Sequence, residues 1–272
     1  MPQNPCRKQI LMCAPDFFGV AYVINPWMEG QFARTDAAEA RRQWLDLKAL
    51  LEQRADIRLI APRPGLPDLV FTANAGLPRN GKVVISRFRC LERRGEEEVF
   101  RDWFQRQGFE VIDPPEGLSF EGAGDALYDE ARDLYWVGHG FRSHKDAAPF
   151  LEKALGTRAV SLGLIDPRFY HLDTCLCPLP GDFLLYFPGA FDPASRAAIE
   201  ALVPEEQRIG VDSAEAETFC CNAVALGDKI ILNAASPGLR ERLAQAGLTV
   251  EATPLTQFMK AGGAAKCLTL EL

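Results

Sequence analysis

The stretch Phe120-Glu-Gly-Ala-Gly-Asp-Ala-Leu-Tyr128, followed by a polar turn and Leu134-Tyr-Trp-Val-Gly138, decides the fold. Two apolar runs flanking a turn predict a β-hairpin. The pattern recurs three more times. Phe71-Thr-Ala-Asn-Ala-Gly76 leads through Asn80-Gly81 to Lys82-Val-Val-Ile-Ser86. His171-Leu-Asp-Thr-Cys-Leu-Cys177 leads through Pro180-Gly181 to Phe183-Leu-Leu-Tyr-Phe187. Phe219-Cys-Cys-Asn-Ala-Val-Ala-Leu226 leads through Gly227-Asp228 to Lys229-Ile-Ile-Leu-Asn233. The second runs, taken from residues 83, 134, 183 and 229, are spaced by 51, 49 and 46 residues. A fixed period of this size marks a repeat architecture.

Each hairpin is followed by a helical pattern, at residues 96–107, 144–155, 193–202 and 237–246. Asp192-Pro193 and Ser236-Pro237 place a capping side chain before a proline suited to the first helical turn. A short third strand follows in each case: Phe109-Glu-Val-Ile112, Ala159-Val-Ser-Leu162, Ile209-Gly-Val211 and Leu248-Thr-Val250. A fifth unit is split between the ends of the chain. Ala265–Leu272 supplies its first strand and Ile10-Leu-Met-Cys13 its second. A helix over Asp36–Arg54 carries Trp44, Leu47, Leu50 and Leu51 on one face, and Ile57-Arg-Leu-Ile60 is the third strand. The fold class expected is therefore α/β, a closed five-bladed propeller of ββαβ units. One domain is expected over 1–272.

In a radial arrangement, equivalent positions of the first strands meet near the axis. They carry Asn74, Glu121 with Asp125, His171 with Asp173, Asn222, and Cys267. Gly122 and Gly124, and Gly262-Gly263 before Cys267, are expected to let backbone approach a ligand. A thiol, an imidazole and carboxylates at one point make a nucleophile, an acid/base and orienting groups.

Other features read as structure. His139 and His144 fall in a loop and at a helix start, and surface exposure is expected. Cys175, Cys177, Cys220 and Cys221 lie in apolar strands and read as packing. Asn25 precedes a proline in a turn-forming pair. Glu92-Arg-Arg-Gly-Glu-Glu-Glu98 reads as a solvated helix start.

Composition excludes several classes. The 272 residues are 47% hydrophobic and 25% charged, enough for a full core, and the net charge of −7 leaves no basic footprint for nucleic acid. Met1-Pro-Gln-Asn-Pro5 is not a basic stretch leading into an apolar run, and no apolar run approaches 18 residues. Neither a signal peptide nor a membrane span is expected. The eight cysteines fit no zinc-ligand spacing, so reduced thiols in the cytosol, without metal or cofactor, are expected.

Phe71-Thr-Ala-Asn74, Glu121-Gly-Ala-Gly-Asp125, Gly140-Phe-Arg-Ser143, His171-Leu-Asp-Thr-Cys175 and Gly263-Ala-Ala-Lys-Cys267 together resemble the guanidino-group-modifying (pentein) superfamily, most of all its arginine dihydrolase branch. The resemblance spans the whole chain. It implies that Cys267 attacks a guanidinium carbon and that His171, paired with Glu121, moves protons. It implies Asp173, and with it Asp125, among the carboxylates around the substrate. Arg93 (exchangeable with Arg94) and Arg142 would take the α-carboxylate, while Asp68 and Asn25 line the amino end. Asn74 departs from arginine deiminases, which carry an aspartate there. An arginine dihydrolase yielding ornithine, carbon dioxide and ammonia is the function expected. A dimethylargininase or deiminase stopping at citrulline, an amidinotransferase, and an inert five-bladed binding protein are the alternatives. The partner expected is a small molecule, arginine or a methylated arginine, with a homo-oligomer possible.

Overall fold

The computed structural model describes residues 7–272; Cys6 and the opening Met1–Pro5 lie outside the described residues. Among the described residues there are five three-stranded sheets. In the first, Gly76–Arg79 pairs antiparallel with Lys82–Ile85, which runs parallel to Glu110–Ile112. The sheets built on Leu134–His139, Leu184–Tyr186 and Lys229–Leu232 repeat this order. The fifth joins the two ends of the chain. Leu270–Glu271 pairs antiparallel with Lys8–Cys13, which lies parallel to Ala55–Ile60. That pairing closes the ring, as the repeat expects.

The local signals explain these elements. Asn80 and Gly81 both take positive φ (51° and 76°), the conformation a two-residue hairpin turn demands. The helices Ala37–Glu52, Pro193–Leu202 and Pro237–Gln245 start on Asp36, Asp192 and Ser236, whose side chains accept first-turn N–H groups. Each helix turns an apolar stripe onto its own blade. Trp44, Leu47 and Leu51 are buried, as are Phe100 and Phe104 on the helix Gly95–Arg106.

The inner segments differ from the strands expected. Thr72–Ala75, Gly122–Gly124 and Leu172–Thr174 are single 3-10 turns, and the strands begin only after them, at Gly76, Ala126 and Leu176. The turn is closed each time by an N–H bonded three residues back: Asn74 to Phe71, Asp125 to Gly122, Cys175 to Leu172, and Asn222 to Phe219. The reason is crowding. Five backbones meeting at an axis leave no neighbour for a ladder, so the buried amides are satisfied within the turn. The turn also breaks the alternation of a strand, which lets side chains several residues apart face one centre.

Gly122 shows how close the blades come. Its φ is +63°, and a Cβ there would lie 2.8 Å from the Ala73 carbonyl oxygen and the Gly76 nitrogen. At Gly124 a Cβ would sit 2.2 Å from Asn74 Nδ2. These glycines thus admit the neighbouring blade, where the sequence reading expected them to admit a ligand. Gly122→Ala is expected to lose about 2 kcal/mol of stability or more. Chemical denaturation followed by circular dichroism measures it; an unchanged midpoint would refute the packing argument.

Candidate active site

The turns bring one cluster to the axis. Cys267 follows the turn after Gly263, and its position is set by Asn222. The Asn222 oxygen accepts from the N–H groups of Ala264 and Cys267, both at 3.1 Å. Its nitrogen donates to the Asp173 carbonyl at 2.9 Å and to Cys267 Sγ at 3.0 Å. The hydrogen-bonding capacity of that amide is thereby used up. The thiol donates to Asp173 Oδ2 at 3.2 Å. Burial, and then the charge of Asp173, push the Cys267 thiol well above the ordinary range.

His171 Nε2 lies 2.7 Å from Glu121 Oε2. Arg142 Nη1 donates to the same oxygen at 3.2 Å, and the Arg89 N–H donates to Oε1 at 3.2 Å. Burial alone would raise the Glu121 pKa, but Arg142 and the His171 hydrogen bond outweigh it and hold the carboxyl well below the usual range. Glu121 is therefore a fixed anion with no exposed surface.

Asn74, Asp68, Arg93, Arg142 and Asn25 line the cavity with His171 and Cys267. Asn74 Nδ2 donates to the Glu121 carbonyl at 3.0 Å, and its oxygen accepts from Arg93 Nη1 at 2.8 Å. Arg93 is gripped on its other edge by both oxygens of Glu96, at 2.9 and 2.7 Å. Asp68 Oδ2 accepts from the Tyr22 hydroxyl at 2.9 Å. Asn25 caps the turn Pro26–Met28 and donates to the Ala261 carbonyl, so it is a turn former and a wall residue together. The cavity measures about 10 Å³, room for one water. That is too small for an amino acid, and Ile24, Asn25 and Met28 form one of its walls. Arg142 Nη2 holds them through the Ile24 carbonyl at 2.9 Å.

Several expectations need correction. Asp125 does not line the cavity. Like Glu121 and Asp173, it lies behind the lining residues; one of its oxygens accepts from the Leu172 N–H at 3.0 Å and the other from Ser143 Oγ at 2.6 Å, so it positions the His171 turn. The run 92–98 is not wholly solvated: Arg93 and Glu96 are buried as an ion pair. Arg94 is exposed and outside this cavity, so of the two neighbouring arginines it is Arg93 that lines it. His139 is half-buried at a strand end, while His144 is exposed as expected.

Sequence reasoning missed Glu96, Tyr22 and Tyr170. Tyr170 stacks its ring 4.6 Å from the Arg142 guanidinium and donates to the Gly262 carbonyl at 2.8 Å. Its place beside His171 was the available signal. Ser143, which accepts from the Glu121 N–H at 3.0 Å, lay inside a quoted motif.

Two buried carboxylate oxygens have no partner among the described residues: Asp68 Oδ1 and Asp173 Oδ1. Both acids are raised by burial, Asp173 to about 7. Orphaned acceptors at two places around one thiol suit a ligand with two cationic groups.

A closed ring with a thiol, an imidazole and carboxylates at its axis defines the guanidino-group-modifying class of α/β propellers. A family model described as N,N dimethylarginine dimethylhydrolase, eukaryotic, matches residues 29–272, and the chain belongs to that family. It is 53% identical over 264 residues to the bifunctional arginine dihydrolase/ornithine cyclodeaminase ArgZ of Synechocystis, covering 97% of this chain and 37% of ArgZ. It is 38% identical over 271 residues to the N(G),N(G)-dimethylarginine dimethylaminohydrolase of Mycobacterium tuberculosis, covering 99% and 87%. The chain thus spans under two fifths of the length of ArgZ. The crystal structure of the ArgZ N-terminal domain, as a cysteine-to-serine variant bound to substrate, superposes with a TM-score of 0.96 at 52% identity over 97% of both chains.

Because the Asp173 pKa is raised on folding, its contribution is fully present at low pH and is lost as pH rises through about 7. Asp173→Asn should therefore gain stability over the parent at pH 8 relative to pH 5. A gain of several degrees in Tm is expected, at about 2–4 °C per kcal/mol. Calorimetry at the two pH values checks it; equal Tm differences would mean the carboxylate is not strained.

Proposed function

We propose that residues 1–272 form one cytosolic arginine dihydrolase domain, releasing ornithine, carbon dioxide and two ammonia molecules. The observation that carries this reading is Asn74, an amide where the resemblance gives arginine deiminases an aspartate. After its bonds to Glu121 and Arg93, Asn74 retains one N–H and one oxygen lone pair. It therefore suits a guanidinium first and a ureido carbonyl next. The 53% likeness to ArgZ supports the same reading.

In this reading Asp68 Oδ1, which has no partner among the described residues, accepts from the substrate α-amine, and Arg142 takes its α-carboxylate. Arg93 adds a positive field there. Asp173 Oδ1 faces the guanidinium, fixing its plane beside Cys267. The incoming cation offsets the Asp173 charge that holds the thiol protonated, so ionisation of Cys267 is coupled to binding, and the thiol proton passes to His171. The thiolate adds to the guanidinium carbon, and the tetrahedral adduct expels one nitrogen as ammonia on a proton from His171. Water, activated by the now neutral imidazole, adds to the amidino-thioether. The thiolate leaves, and citrulline remains.

A second addition, now to the ureido carbon, expels the other terminal nitrogen as ammonia. Hydrolysis of that adduct leaves the carbamate of ornithine, which loses carbon dioxide. The total is arginine plus two waters giving ornithine, two ammonia and carbon dioxide. The dimethylargininase reading rests on the family match and the Mycobacterium tuberculosis relative. It predicts a dialkylamine from asymmetric dimethylarginine instead.

Mass analysis of products from arginine, citrulline and methylarginines decides between the readings. Ornithine from arginine supports the dihydrolase, and citrulline as the final product overturns it. Cys267→Ala should reduce turnover to the uncatalysed background. Asn74→Asp places a carboxylate opposite a carbonyl oxygen, at a cost of about 1–3 kcal/mol, a shift of roughly five- to hundredfold in partition toward citrulline. An unchanged ornithine yield in that variant would end the role given to Asn74.

A further inference from the structure

A second concavity of about 700 Å³ lies between the first two hairpin blades, on the far side of the Glu121 wall. Its size is that of a small-molecule site. Arg87, Arg89, Arg94 and Lys145 line it, with His139 and His144 at one side. The acidic lining residues are Glu97 and Glu116, and Glu97 is turned inward to accept the Phe88 N–H at 2.7 Å. This balance reverses the sign of a chain whose net charge is −7.

Elsewhere arginines take carboxylate partners, as Arg42, Arg101, Arg132, Arg168 and Arg242 do. None of the four groove cations has a carboxylate oxygen within 4 Å among the described residues. Three of them are instead braced on backbone carbonyls. Arg87 donates to Pro114 at 2.9 Å, Arg94 to Phe88 at 3.2 Å, and Arg89 to both Gly140 and Phe141 at 3.1 Å. A guanidinium braced this way is oriented while its charge stays uncompensated, which favours a multiply charged oxyanion.

The groove also shares its wall with the active site. The Arg89 N–H bonds Glu121 Oε1, and Ser143, which lines the groove, accepts from the Glu121 N–H. The loop 140–143 that receives the Arg89 side chain carries Arg142 into the catalytic cavity. We propose that this groove binds a phosphate-bearing small molecule, and that its occupancy is felt at Glu121 through Arg89 and the 140–143 loop. An anion draws the Arg89 guanidinium from the two carbonyls, because a charge-assisted bond is the stronger one. The main chain at Arg89 and the 140–143 loop then shift, and the donors on Glu121 shift with them.

The test titrates the protein with pyrophosphate and with ATP, without metal, at an ionic strength held constant with sodium chloride. Calorimetry reads binding, and kcat/KM for arginine is measured over the same range. Saturable binding is expected, with a change in kcat/KM at the same midpoint. Lys145→Glu and Arg94→Glu, both exposed and outside the catalytic machinery, should each weaken binding at least about fivefold and leave basal turnover unchanged. Equal affinities for the two probes assign the phosphate chain as the recognised part; a tighter ATP assigns the organic body as well. No saturable heat above the salt control, or equal binding in both variants, overturns the site. Binding with an unaltered rate overturns its link to Glu121. The binding arm needs no turnover, so its outcome is separate from the identity of the reaction.

Discussion

The structure is organised by the need to bury one carboxylate, Glu121, where no water reaches it. An unpaired carboxylate in such a place costs several kcal/mol, and the cost is met only by donors of good geometry. The donors come from different places along the chain. Arg89 supplies a main-chain N–H, Arg142 a guanidinium and His171 a ring nitrogen, while Asn74 bonds the Glu121 carbonyl. Each must arrive within hydrogen-bond distance at once, which draws three blades onto one axis. Gly122 and Gly124 follow from this convergence, since any side chain there would hold the blades apart.

Charge around that anion is unbalanced. Asp68, Glu96, Glu121, Asp125 and Asp173 are buried in or beside the site, against the guanidiniums of Arg93 and Arg142 and the ring of His171. Burial raises Glu96 to about 7 and Asp125 to about 6 even though Arg93 beside the first and His171 and Ser143 beside the second pull the other way. On the proposed function, arginine, with two cationic groups and one anionic, brings a net positive charge to a site that lacks it. Two other acids, Asp68 and Asp173, each keep one buried oxygen without a donor among the described residues, which the cationic groups of the proposed substrate would supply. Glu121, with its donors in place, stays ionised throughout.

Much of this was legible in the sequence. The 46–51-residue spacing, the Asn80-Gly81 turn and the proline-initiated helices each carry a local physical signal, and the split fifth blade follows from counting what each end lacks. The inner turns were not legible. Phe71–Gly76 is apolar enough to read as a strand, and only the crowding of five backbones converts it into a 3-10 turn. The buried pair Arg93 and Glu96 was hidden for a similar reason. A charge run looks solvated unless the fold is known to press one face of it against the axis, and Asn74 and Asp68 do that here. Asp125 has the composition of a ligand carboxylate, but Ser143 and Leu172 take both of its oxygens.

The nucleophile shows how the same forces separate storage from use. A buried thiol beside a carboxylate is held as the thiol, which keeps it from oxidation and from stray electrophiles. In the proposed mechanism neither burial nor Asp173 changes until a cation arrives, and a guanidinium near Asp173 Oδ1 reverses the electrostatic part of the shift. Asn222 holds sulfur, main chain and the Asp173 carbonyl in one frame, so little motion accompanies that reversal. Selectivity for a cationic substrate then comes from activation as well as from fit. A neutral isostere of arginine could occupy the same volume and still leave Cys267 protonated. The second round of the proposed dihydrolase reaction meets this difficulty directly, because citrulline has no guanidinium charge. The burden then passes to His171 as proton acceptor and to Asn74, whose amide can hold the ureido oxygen without repelling it.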